Sequence, residues 1–343
     1  MKILLIGGTG FIGPHVIRYL QANGHETTVF HRGHRTLPAG VRQIIGDRNQ
    51  LDEHRGELAR QHFDVVIDFV LSSERQAREL MQLLGGITQR VVALSSMDVY
   101  RAWGVFYGLE PGGLDALPLT EESELRMRPP YPLEVIKKTQ QMISWIDAEY
   151  DKVPVEHVVL SDPDLPGTVL RLPMIYGPGD YVHRFYPFVK RIDDRRPFIL
   201  FAEDVAAVRT PRGYVEDVAA GIALAATSER ASGRVYNICE REHFSELEWA
   251  RRIATALAWN GDFILLAREK TPPHLIMPFN TAQHLIVTSE RIREELGYRE
   301  QVSREEAFER TIAWERAHPP EAPGAQFDYE AENDAVHKLK SSA

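Results

Sequence analysis

The 343-residue sequence holds one cysteine, Cys239. A single thiol cannot close an internal disulfide, which excludes a disulfide-stapled scaffold and suits a reducing, cytoplasmic setting. There is no run of 18 apolar residues. The opening stretch Ile3-Leu4-Leu5-Ile6 runs straight into glycines, so it reads as neither a signal core nor a membrane span. Positive charge is in deficit as well: 40 Lys and Arg against 49 Asp and Glu leave a net charge of −9. That balance gives no pull toward nucleic acid or an anionic membrane. No internal repeat is visible. With 43% hydrophobic and 26% charged residues, the chain is too apolar for disorder and too polar for a membrane protein. Its length suits one large α/β unit or two coupled ones.

What is present is an alternation of strand and helix patterns. Lys2 to Ile6 reads as a strand covered on both faces. A helix follows over 11–23, with Ile12, Val16 and Leu20 four apart and Gly24 as a stop. Strands are expected at 27–30, 41–45, 64–68, 90–95, 168–172 and 235–238. Helices are expected near 77–84, 137–149, 216–227, 245–258 and 303–316. Strand–helix units on short loops imply parallel strands with right-handed crossovers, hence a doubly wound α/β sheet. Residues 101–134 interrupt the rhythm with Pro111-Gly112-Gly113 and Pro129-Pro130, and read as a long lid or binding insertion. The tail from Pro319 is acid-rich and poor in aliphatics, and is expected to be mobile or docked on a partner subunit.

Gly7-Gly8-Thr9-Gly10-Phe11-Ile12-Gly13 lies between a strand and a helix, the context a dinucleotide site needs. Gly7 permits the tight turn, Gly10 lets backbone approach a pyrophosphate, and Gly13 allows close helix–strand packing. The helix N-terminus then receives the anion. Further motifs stand in order: Gly46-Asp47-Arg48, Ser95-Ser96-Met97-Asp98-Val99-Tyr100, Leu170 to Asp180, Tyr214 to Ala219, Val235-Tyr236-Asn237, Thr288 to Arg291 and Glu295 to Tyr298. This ordered set, covering about residues 1–316, resembles the extended short-chain dehydrogenase/reductase family of NAD-dependent epimerase/dehydratase type. The resemblance implies a Rossmann domain over 1–172 plus about 214–238. It also implies a smaller α/β substrate domain from about 173–213 plus 239–318, followed by the acidic tail 319–343.

Cofactor choice is set after the second strand, where an NAD-binding member would carry an acid on the adenosine ribose. This chain has Phe30-His31-Arg32-Gly33-His34-Arg35 and no acid. Arg32 could pair with a 2′-phosphate, so NADP is favoured over NAD. By resemblance, Asp47 and Arg48 face the adenine side. Pro173 belongs to the cofactor-binding set with Gly7, Thr9, Gly10, Phe11, Ile12 and Gly13.

In the family a Ser or Thr, a Tyr and a Lys move a proton to or from the substrate oxygen while hydride moves to or from the nicotinamide. Ser96 matches the first position. The Tyr-x-x-x-Lys pair is missing. Tyr131 is followed at four by Val135, and Tyr150 at two by Lys152. The step from Lys152 to Glu156 and the short run to Arg171 place the family lysine at Lys152. Tyr150 can serve if the helix starts there, with Pro154 in its first turn; Tyr131, carried by the insertion, is the alternative donor. Met97-Asp98 keeps only half of the Asp-Glu pair that dehydratases use, which disfavours dehydration. Asp98, Arg209 and Arg212 are expected on the substrate side, the arginines near a nucleotide diphosphate. The expectation is an NAD(P)-dependent oxidoreductase or epimerase acting on a small-molecule hydroxyl or carbonyl, with a nucleotide sugar as one candidate. No metal, nucleic acid or membrane partner is expected, and a homodimer is in keeping with the family. The alternative is a non-catalytic dinucleotide-binding or regulatory protein of the atypical branch.

Overall fold

The fold was read from a computed structural model, which describes residues 1–142, 146–321 and 327–341. The strands are β1 (Lys2–Ile6), β2 (Glu26–His31), β3 (Arg42–Ile45), β4 (Phe63–Asp68), β5 (Thr88–Ser96), β6 (Gly167–Leu172), β7 (Met174–Tyr176), β8 (Phe198–Ala202), β9 (Arg212–Tyr214), β10 (Val235–Asn237) and β11 (Asp262–Leu266). The helices are α1 (Gly13–Ala22), α2 (Arg55–Gln61), α3 (Glu74–Leu84), α4 (Arg101–Phe106), α5 (Leu133–Met142), α6 (Lys152–Ser161) and α7 (Tyr186–Asp193). They continue with α8 (Glu203–Ala207), α9 (Val215–Thr227), α10 (Glu246–Ala256), α11 (Glu290–Leu296), α12 (Arg304–Ala317) and α13 (Tyr329–Ser341).

Seven strands form one parallel sheet in the order β10-β6-β5-β4-β1-β2-β3. The central β1 shows why an apolar run became a strand here. Ile3 and Leu5 pack on one face with Val16, Ile17 and Leu20 of α1 and Ile222 of α9. Leu4 and Ile6 pack on the other with Leu80 and Leu84 of α3 and Val155 and Val159 of α6. Both faces of β1 are dry, so the strand needs no alternation of polar residues. Each of those aliphatic side chains contributes roughly 1.5–3 kcal/mol through burial. α9 is built of small residues, and α1 packs against it. Order reverses between β1 and β4, and the crevice at the carboxyl ends of the strands opens there. Two small parallel pairs, β7 with β9 and β8 with β11, lie outside the main sheet.

Two expectations need correction. The helix expected over 137–149 begins earlier, as α5 from Leu133 to Met142; residues 143–145 lie outside the described residues. The chain then runs irregularly through Ile146–Asp151 and re-enters a helix at Lys152, because Asp151 caps α6 by accepting from the Val153 N–H. The tail is not a loose appendage. α13 docks on this same chain, with Glu332 fully buried against Arg191 at 2.6 Å and His274 at 3.2 Å, and Val336 against Leu200 and Leu266. A buried carboxylate needs compensating partners, and Arg191, His274 and, at 3.6 Å, Arg196 supply them from elsewhere in the chain and anchor the helix. The 101–134 insertion holds α4 and is tied down by a bridge from Leu119 to Val287 and by the buried Arg126. Among the described residues no helix is long and apolar enough to cross a membrane.

Candidate active site

A cleft of about 600 Å³ runs along the carboxyl ends of the sheet. The glycine turn forms its floor. Gly7 and Gly8 take positive φ (81° and 70°), a conformation that L side chains rarely adopt. Gly13 packs so tightly that a Cβ there would lie 2.0 Å from the Gly8 carbonyl oxygen, whereas a Cβ on Gly10 would meet nothing within 4 Å. Gly13 therefore closes the turn onto α1, and Gly10 leaves open space beside the helix N-terminus. Such a cradle fits a pyrophosphate. Thr9, Phe11, Ile12, Arg32, Asp47, Arg48 and Pro173, all expected at a dinucleotide, line the same cleft.

At the end of the cleft beside β2, the strand finishes at His31, whose ring is held by Gln43 at 3.0 Å and accepts from the Gly33 N–H at 3.3 Å. Arg32 is exposed beside it and Arg35 reaches the Thr9 carbonyl at 3.4 Å. Asp47 caps the turn at Arg48 by accepting from the Asn49 N–H. Arg48 donates to Asp68 at 3.3 Å and to the Gln76 carbonyl at 3.0 Å, while its buried Nε has no partner. That orphan donor at the cleft wall also suits a polar ligand.

At the other end stand Ser96, Tyr150 and Lys152. Ser96 terminates β5 and its Oγ accepts from the Asp98 N–H at 3.2 Å. Lys152 sits in the first turn of α6 with Glu156 four residues on, so both share one helix face. Glu156 fixes that face. It accepts from Ser95 of β5 at 2.5 Å and pairs with the buried Arg171 of β6 at 2.7 Å, clamping α6 to two strands. Lys152 is thereby carried to the strand ends, where its Nζ donates to the Leu94 carbonyl at 2.9 Å and to the Leu71 carbonyl. Burial pulls the ammonium down to about 8, against the nearby carboxylates of Asp98, Asp68 and Glu156. Its Nζ lies 6.0 Å from the centre of the Tyr150 ring.

Tyr150 reaches this place from outside the helix. It lies just before the α6 cap, so the missing spacing of four does not keep it from Lys152. Its hydroxyl donates to Asp98 Oδ2 at 3.1 Å, and the Tyr131 hydroxyl donates to the same oxygen at 3.4 Å. Tyr107 stacks behind Tyr131, ring centres 5.8 Å apart, and Tyr131 behind Tyr150 at 6.1 Å. Burial, then the Asp98 charge, push both Tyr150 and Tyr131 well above the usual phenol value. Burial likewise raises Asp98, partly offset by Arg126.

Two sequence-picked arginines are not brought here. Arg212 is buried in a two-oxygen pair with Glu246 at 2.7 Å and lies over the Trp249 ring. Arg209 bonds the His243 carbonyl at 2.6 Å and pairs with Glu248 at 3.1 Å. Neither lines the cleft, because acids of α10 claim both; the cleft-lining arginine of that stretch is Arg184. Asp98 also stands behind the phenols rather than on the cleft wall. Sequence reasoning missed Tyr107 and Arg126, which no local motif marks. Among the described residues no His, Cys, Asp and Glu group could hold a metal.

The model of the NAD dependent epimerase/dehydratase family matches residues 3–239. The chain belongs to that family. Membership makes it an enzyme-type NAD(P)-binding Rossmann protein of the epimerase/reductase class. It is 25% identical over 321 residues, 87% of this chain and 75% of the relative, to the chloroplast stem-loop binding protein of 41 kDa b of Arabidopsis thaliana. It is 32% identical over 99 residues to 2'-dehydrokanamycin reductase of Streptomyces kanamyceticus, covering 28% of each chain. A UDP-glucose 4-epimerase of Corynebacterium glutamicum is 31% identical over 145 residues, 36% of this chain and 40% of that one. This chain therefore spans less than half of the reductase and of the epimerase. Among solved structures, the dTDP-glucose 4,6-dehydratase of Bacillus anthracis in complex with NAD shares the fold with a TM-score of 0.65 at 17% identity, covering 93% of this chain and 97% of that one.

Proposed function

We propose that this family member binds NADP(H) in preference to NAD(H) and catalyses oxidation–reduction at a hydroxyl or carbonyl of a small molecule. The dinucleotide, when bound, supplies or accepts hydride. Gly7, Thr9, Gly10, Phe11, Ile12 and Gly13 hold its pyrophosphate, Asp47 and Arg48 its adenosine side, and Pro173 the nicotinamide side. Arg32 receives the 2′-phosphate. Ser96 orients the substrate oxygen, Tyr150 exchanges the proton with it, and Lys152 favours the phenolate through its positive charge. Tyr131 is the alternative donor. The observation that carries this reading is that Ser96, Tyr150 and Lys152 line the cleft that the glycine turn opens. A nucleotide sugar is a candidate substrate on the strength of the UDP-glucose 4-epimerase relatives, since Arg209 and Arg212 are engaged elsewhere.

The test follows NADPH consumption against a panel of nucleotide sugars, ketones and alcohols. On any substrate found, Lys152→Met and Tyr150→Phe each lower turnover by about 100-fold or more, the scale of lost acid–base assistance. Tyr131→Phe stays within about threefold of wild type. Loss in Tyr131→Phe with Tyr150→Phe active reverses the assignment.

A second reading, a binding protein without turnover, has one observation in its favour. The relative matched over 87% of this chain is a stem-loop binding protein. Titration with a labelled RNA stem-loop separates the two: tight, salt-sensitive binding with no turnover on the panel supports this second reading.

A further inference from the structure

Two phenols converge on Asp98. Its carboxyl lies in a one-turn helix directly after β5, 4% exposed. Oδ2 receives the Tyr150 and Tyr131 hydroxyls, and Oδ1 is buried with no hydrogen-bond partner among the described residues. The groups facing it are Ser96 on its own backbone N–H, Arg126 of the insertion on its backbone carbonyl at 2.9 Å, Tyr107, and Lys152. Arg126 spends its outer nitrogens on the Arg128 carbonyl and on Asp151 at 2.6 Å, so it acts on the carboxyl through its charge rather than by a bond to the carboxyl oxygens.

A phenol has one proton. While Asp98 is ionised, Tyr150 donates that proton to Oδ2 and cannot offer it to the cleft. Once Asp98 is protonated, its carboxyl O–H can donate to the phenol oxygen, and the Tyr150 proton is released toward the substrate side. From this geometry we infer that Asp98 is a positioning residue that acts through Tyr150: the protonation of its carboxyl sets the direction of the hydrogen bond between them. The inference rests on Tyr150 being the proton donor of the proposed reaction.

The proton balance closes within the pair. In reduction, the Tyr150 O–H bond breaks as an O–H bond forms on the substrate oxygen, whose carbon takes hydride from the reduced dinucleotide. The Asp98 proton passes to the phenolate and leaves a carboxylate. After product release Tyr150 passes a solvent proton back to Asp98. Oxidation runs each transfer in reverse. The burial that disfavours the carboxylate keeps the proton in place above the ordinary carboxylate range.

The test needs neither substrate nor cofactor. Protein carrying tyrosine labelled with carbon-13 at the ring carbon bearing the hydroxyl is titrated from pH 4 to 9, with the Tyr150 signal identified by its loss in Tyr150→Phe. Besides any step from Lys152 near pH 8, the wild-type Tyr150 signal shows a step from Asp98 with a midpoint above about 4, the ordinary Asp value. Asp98→Asn abolishes the step, because the amide donates at every pH, while any step from Lys152 persists. Tyr131→Phe removes one donor to the carboxylate, so the Asp98 step moves to higher pH; this arm stands if Asp98→Asn fails to fold. A wild-type signal with no step other than that of Lys152, an Asp98→Asn signal with every wild-type step unchanged, or a Tyr131→Phe midpoint for the Asp98 step that stays or falls overturns the inference. A normal step in a protein that turns over nothing strikes the proposed reaction instead, so the two failures are distinguishable.

Discussion

Gly10→Ala isolates cofactor binding from folding. A Cβ at Gly10 meets no atom within 4 Å, and the residue is exposed with φ outside the left-handed region. Its fold should tolerate alanine within about 0.5 kcal/mol, as surface substitutions do. The methyl group projects into the open space where a pyrophosphate must approach backbone. Keeping the phosphates off by one methyl radius weakens their bonds to the helix N-terminus, and a tenfold to 100-fold loss of NADPH affinity, about 1.4–2.8 kcal/mol, is expected. Gly13→Ala is the contrasting variant. Its Cβ would lie 2.0 Å from the Gly8 oxygen and 2.2 Å from the Gly8 carbonyl carbon, backbone against backbone. Neither side can yield without moving α1 off the turn, so stability falls by about 3 kcal/mol or more. Urea unfolding and calorimetric titration with NADPH read the two effects separately. Gly10→Ala binding NADPH as tightly as wild type would refute the assignment of the turn to the pyrophosphate.

Arg32→Ala should erase most of the preference for NADPH over NADH in parallel titrations; tighter NADH binding by the wild type contradicts the Arg32 role. Glu240, which follows β10, tests the electrostatics of a buried carboxyl. It is buried, accepts from Tyr176 at 2.8 Å, and burial pushes its carboxyl up to about 7 from 4.5. Between those values the native state holds a proton that the unfolded chain has released. Stability therefore falls as pH rises from about 4.5 to 7, by about 3 kcal/mol from this group. Glu240→Gln should flatten that part of the stability–pH curve; a slope identical to wild type refutes the burial argument.

What could be read in the sequence divides along a physical line. The glycine turn was legible because each glycine meets a local demand, and β1 because a strand buried on both faces writes an unbroken apolar run. Lys152 was legible through Glu156, which shares its helix face. The convergence of Tyr131 and Tyr150 on Asp98, with Tyr107 behind Tyr131, was not. It depends on how residues 101–142 and 146–151 lie against the strand ends, and no spacing records that. Arg209 and Arg212 misled for a related reason: a cluster of cations says nothing of its acids, here Glu246 and Glu248 of α10. The tail looked loose because its one buried carboxylate, Glu332, finds Arg191 and His274 far away in sequence. Sequence patterns report local needs and the faces of single elements; pairings across the fold have to be seen.

The glycine turn and the displaced Tyr150–Lys152 pair should serve one bound dinucleotide, and a crystal structure with NADPH bound decides whether they do. The pyrophosphate is expected over Gly10, the 2′-phosphate on Arg32, and the nicotinamide ring beside Ser96, with the Tyr150 oxygen the phenol nearest its hydride-bearing carbon. A dinucleotide seated away from the glycine turn, or a nicotinamide approached by Tyr131 while Tyr150 stays remote, would contradict it.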